Sequence, residues 1–137
     1  MRFNVNIARF IGAAVAALVL LLLLNMFVFP LIFPGGVATK FANARPTPLI
    51  TLHLAAFLAT SVLLTALCTV ARVAGTSLAA AGIGALAGLL AALPSTLHTN
   101  AMAHVSVSGE VAAVLWTTIS WGLAAGVAHV AYTWRHK

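Results

Sequence analysis

Residues Ile11 to Phe29, IGAAVAALVLLLLLNMFVF, are nineteen consecutive positions without a charge, and Asn25 is the one polar side chain among them. At about 1.5 Å rise per residue, a helix of this length is roughly 28 Å long, close to the hydrocarbon thickness of a bilayer. Few water-soluble folds have room for such a segment. The remaining sequence points the same way: 6% of the 137 residues are charged, against about 25% in a soluble domain, too few to clothe a water-facing surface. The expectation is an all-α integral membrane bundle of four transmembrane helices, a single domain over residues 1–137.

Hydropathy and breakers divide the chain into spans at about 7–29, 49–73, 77–93 and 111–134. The first is expected to close at Pro30, ahead of Pro34-Gly35-Gly36, because proline lacks a donor and glycine accepts positive φ. It reads as a retained helix rather than a signal peptide. Its apolar run is longer than the about 7–15 residues of a signal core, and the one tolerable cleavage site, after Ala38, lies beyond two prolines. Residues 30–48 form a first connection, with a short interfacial helix expected over Val37 to Ala44. Gly75-Thr76-Ser77 is a tight turn with Ser77 as the expected N-cap. Span three either stops at Pro94 or runs past it with a kink. Residues 94–110, PSTLHTNAMAHVSVSGE, read as the longest polar connection and hold the only acid, Glu110. Tyr132-Thr133-Trp134 and the basic end that follows read as an interfacial belt and anchor.

Seven Lys and Arg against one acid give a net charge of +6. These cations sit at the ends of apolar runs, where they meet anionic headgroups, so no nucleic-acid partner is expected. Arg2, Arg9, Arg72, Arg135 and Lys137 fall on one side of a four-span topology and only Lys40 and Arg45 on the other. That bias places both termini in the cytoplasm, most simply at a bacterial inner membrane. The lone Cys68 allows no intramolecular disulfide and no CxxC motif.

The histidines are the residues best suited to hold a cofactor. His53 lies near the outer end of span two, and His98 and His104 lie in the outer connection, so a transition-metal site of three imidazoles is one reading. The six-residue spacing of His98 and His104 departs from the i, i+4 spacing that puts two ligands on one helical face. Water-facing loop residues are the simpler account. A second reading is haem or another tetrapyrrole on His129. Its neighbours Gly122-Leu-Ala-Ala-Gly126 would let a flat macrocycle approach, with His53 and His98 matched in depth on the opposite side. Hydrogen bonding between helices explains the same residues. No carboxylate lies inside a span as drawn, which argues against a proton-coupled carrier. No GxSxG or HExxH pattern supports hydrolysis.

The clearest constellation concerns packing. Gly84-x-x-x-Gly88 and Gly122-x-x-x-Gly126 each place two glycines on one helical face, and Gly12 with Ala16 is a weaker version. Such faces either join spans three and four within the bundle or dock a second membrane protein. Phe27-Val28-Phe29-Pro30-Leu31-Ile32-Phe33 at the end of the first span, with four spans and a polar connection holding the only acid, resembles an uncharacterised family of small four-helix bacterial membrane proteins. The resemblance implies the topology and no activity. The functional expectation is a non-catalytic accessory or structural subunit without a cofactor. It would pack through small-residue faces against other integral membrane proteins or itself. A haem- or metal-binding electron-transfer protein is the alternative.

Overall fold

The computed structural model describes residues 5–33, 50–70, 75–102 and 107–134. The described chain is all-helical. Helix α1 (Ile7–Leu23) passes into a π-helical turn, Leu24–Val28, and then into α2 (Phe29–Ile32), so that Ile7–Ile32 is one continuous rod. Helices α3 (Ile50–Val70), α4 (Ser77–Met102) and α5 (Val107–Thr133) follow. Four segments are long and apolar enough to cross a membrane: Ile7–Ile32, Ile50–Thr69, Ser77–His98 and Gly109–Thr133.

Local chemistry sets the visible ends. Asn6 caps α1, its side-chain oxygen accepting the Arg9 backbone N–H at 3.1 Å. The cap of α4 is Thr76 rather than Ser77: the Thr76 hydroxyl accepts the Ala79 N–H at 3.1 Å, and Ser77 is already helical. The first rod does not stop at Pro30. It ends at Phe33 (φ −121°, ψ 74°), which precedes Pro34, and a residue before proline is pushed out of the α region. Phe29 also precedes a proline yet stays helical (φ −58°, ψ −47°). The widened turn just upstream takes up that crowding, and the Phe29 N–H donates to Leu24, five residues back.

The expected polar connection over 94–110 is largely helical instead. Helix α4 runs through Pro94 to Met102, α5 begins at Val107, and Glu110 lies in its first turn. Proline removes one backbone bond without preventing continuation, and the Thr96 hydroxyl donates to the Leu93 carbonyl at 2.8 Å beside it. The expected helix over Val37 to Ala44, and residues 71–73 at the end of span two, lie outside the described residues.

Helix α5 is the hub: it packs against α4, the first rod and α3, while α3 and α4 scarcely touch. Helix α5 runs antiparallel to the first rod and to α4, and parallel to α3. Residues Asn6 to Arg9 lie beside Ala131 to Trp134, and Asn25 beside Trp116. The core is Ala13, Ala17, Leu21, Leu64, Cys68, Ala80, Ala124, Ala125 and Ala128. So many alanines bring backbones close, which is how helices associate where there is no water to expel. Hydroxyls inside the rods are satisfied locally: Ser61 donates to Leu58, Thr65 to Ser61 and Thr69 to Thr65, at 2.8, 2.8 and 2.6 Å. No buried side-chain nitrogen or oxygen among the described residues lacks a hydrogen-bond partner.

Candidate functional site

The four glycines meet across the α4–α5 seam. A methyl group at Gly84 would lie 2.5 Å from the Trp121 carbonyl oxygen and would collide with the Ala125 methyl. At Gly88 it would lie 2.9 Å from the Thr117 carbonyl, and at Gly122 3.1 Å from that of Ala81. Gly126 is looser, 3.4 Å from the Ala81 methyl. Each motif therefore receives the other helix's backbone, and within this chain both are occupied. Gly12 and Gly82, by contrast, face open space.

A second cluster joins α5 to the π turn. The Trp116 indole N–H donates to Asn25 Oδ1 at 3.0 Å, while Asn25 Nδ2 donates to the Leu21 carbonyl at 2.8 Å. Phe29 lies against the Trp116 ring (centroids 5.5 Å apart, 45°) and against Phe33 (5.1 Å, 41°). An amide with both ends bonded and an indole with its donor used form a closed polar clasp in apolar surroundings. The sequence carried a signal for it: one amide in the first span and a tryptophan early in the last. Nothing in the sequence paired them.

The histidines disperse. His53 is exposed on α3, its ring edge-on to Phe57 (4.9 Å, 86°). His98 is exposed on α4, and His104 lies outside the described residues. His129 is half-buried on α5 and engaged by a neighbour. Cys68 meets Ala80. At about 1.5 Å per residue, His53 lies about 22 Å from that contact and His98 about 27 Å, both toward the end of the molecule opposite His129. The clearance that Gly122 and Gly126 were expected to leave beside His129 is filled by α4, whose Ala81 and Ala85 lie against Gly122. Among the described residues, no group of three or more His, Cys, Asp or Glu is placed to hold a metal.

Glu110 is not in a polar loop. It is 7% exposed in the first turn of α5. It borders a cavity of about 280 Å³ lined otherwise by Leu93, Thr96, Leu97, Val111, Val114 and Leu115. At the opposite end of the bundle, a larger cavity of about 620 Å³ is lined by Asn6, Ala8, Arg9, Ala131, Tyr132 and Trp134. Arg9 is the one Lys or Arg among the described residues. The sequence marks Arg9 only as an orientation signal, because Ala131, Tyr132 and Trp134 lie more than a hundred residues away in the chain. No family model, curated protein or solved structure matches this chain.

Proposed function

We propose that this chain is a non-catalytic integral membrane bundle that serves as an accessory or structural subunit, packing laterally against another membrane protein or a second copy of itself. It sits in a bacterial inner membrane with both termini cytoplasmic, as the distribution of Lys and Arg favours. The observation that supports the role is the first half of α3. From Ile50 to Thr60 every residue is exposed except the half-buried Phe57 and Thr60, and the exposed set includes Thr51 and His53. Ionisable side chains within membrane segments face a bundle interior, a cavity or a partner rather than lipid. A half-helix that carries an imidazole and finds no cover among the described residues fits a subunit whose remaining cover is supplied by a neighbour.

The glycine motifs take a different part in this reading from the one their spacing first suggests. They hold α4 to α5, and the docking face is the exposed first half of α3. The test is the native mass of the protein extracted in mild detergent, with co-migrating polypeptides identified. Migration with defined companions, or as a discrete homo-oligomer, supports the role. A monomer surrounded only by detergent and lipid removes it.

A further inference from the structure

We infer that the cavity between the start of α1 and the end of α5 is a binding site for the phosphate headgroup of an anionic phospholipid, with Arg9 as its cation and Tyr132 and Trp134 as its walls. The inference rests on the membrane reading above and is independent of the subunit role. At about 620 Å³ the cavity is large enough for a headgroup, and its lining combines a guanidinium, a phenol and an indole.

Charge carries the inference furthest. Arg9 is half-buried, lines the cavity beside Tyr132 and Trp134, and is the cation that the cavity offers to an anion. The sequence contains one acidic residue, Glu110, and it lies in the first turn of α5. Twenty-two residues of helix, about 33 Å, separate it from Tyr132. No acidic side chain of this chain can therefore neutralise Arg9. Asn6 offers little, because its side-chain oxygen is committed to capping α1. No acidic side chain lies among the residues that line the cavity, and phosphate oxygens match the guanidinium fork.

A lipid rather than free phosphate follows from what leaves the cavity. Ala8 lines it, and Ile11, Val15 and Val19 continue along the same helical face, 57%, 52% and 49% exposed. Trp134 lines it just past the end of α5, and Val130, Val127 and Leu123 continue from there along α5, also exposed. Two apolar tracks thus start at the polar cavity and run the length of the rods, the shape of a headgroup with acyl chains below it. The site lies at the ends of two candidate spans, where aromatic and basic anchors sit at headgroup depth.

The experiment is native mass spectrometry of the full chain. It is released from nanodiscs holding equal amounts of phosphatidylglycerol, phosphatidylethanolamine and phosphatidylcholine. The expected result is retention of one phosphatidylglycerol per chain. R9Q should lower that retention about tenfold, R9K should keep part of it, and Y132F should fall between. K40Q, an equal loss of charge elsewhere, should leave it unchanged. Equal retention of all three lipids overturns the inference, as does an R9Q protein that folds to wild-type helix content and still selects phosphatidylglycerol. Displacement of the lipid by millimolar inorganic phosphate would overturn the lipid assignment in favour of a soluble anion. Extraction of the protein from cell membranes by alkaline carbonate would instead sink the membrane reading, so the two failures are distinguishable.

Discussion

Single methyl groups should separate the occupied glycines from the open ones. Gly84→Ala places a Cβ 2.5 Å from the Trp121 carbonyl and Gly88→Ala places one 2.9 Å from that of Thr117, in both cases against a backbone that cannot step aside cheaply. Each should destabilise the bundle by about 1–3 kcal/mol, the usual cost of overpacking. Gly126→Ala, at 3.4 Å from the Ala81 methyl, should be nearly neutral. Gly12→Ala, with nothing within 4 Å, should be neutral or stabilising by up to about 1 kcal/mol through its helical preference. The midpoint of unfolding in mixed micelles, followed by circular dichroism, gives the order. Were Gly12→Ala as harmful as Gly84→Ala, the assigned seam would be wrong. The four-residue spacing told which glycines share a face and nothing about which helix that face meets. The pairing of α4 with α5 was thus one of two readings until the backbones were placed.

At the level of the helices, prolines are where sequence and structure diverge, and the divergence has one cause. A proline deletes a single donor and crowds the carbonyl four residues back, which weakens a helix without obliging it to end. Hydropathy located all four rods. The breakers misplaced the end of the first, at Pro30, and drew a loop through Pro94 and Glu110 where α4 and α5 continue. The π turn at Leu24–Val28 had no signature in the apolar pattern, since Leu, Met, Phe and Val fit either ladder. Two features adjoin it: Pro30, which cannot pair with Met26, and Asn25, whose amide occupies the Leu21 carbonyl. The proline is assigned as the cause, because its ring crowds a carbonyl inside the wide turn. Pro30→Ala should therefore restore an α-helical turn, with a newly protected amide at position 30. The gain in stability should stay below the about 3 kcal/mol that an interior proline costs. Hydrogen exchange resolved by residue checks this. A wide turn that persists in Pro30→Ala and closes in Asn25→Leu would transfer the cause to the amide.

Across the whole molecule, α5 packs against each of the other rods while α3 and α4 scarcely touch, and that asymmetry was beyond the reach of the sequence. All four rods are long and apolar enough to cross a membrane, so composition cannot rank which will lie inside. The packing leaves the first half of α3 exposed, and it makes a positional experiment possible. Leu58 on α3 and Val19 on α1 are similarly exposed, at 53% and 49%, while the native Cys68 is 3% exposed and shielded from reagents. On the lateral-packing proposal, Leu58 faces a protein neighbour and Val19 faces acyl chains. With Leu58→Cys in native membranes, a short apolar bis-maleimide should yield one discrete adduct, either of twice the chain's mass or with a defined companion. Val19→Cys should give only singly modified chains. Adducts from both positions in equal yield would mean random collision within the bilayer. Adducts from neither, despite complete labelling, would mean that the first half of α3 meets lipid alone and that His53 reaches the interface by itself. A discrete adduct from position 58 only would define the face on which this bundle is completed, and the mass of the second polypeptide would identify what completes it.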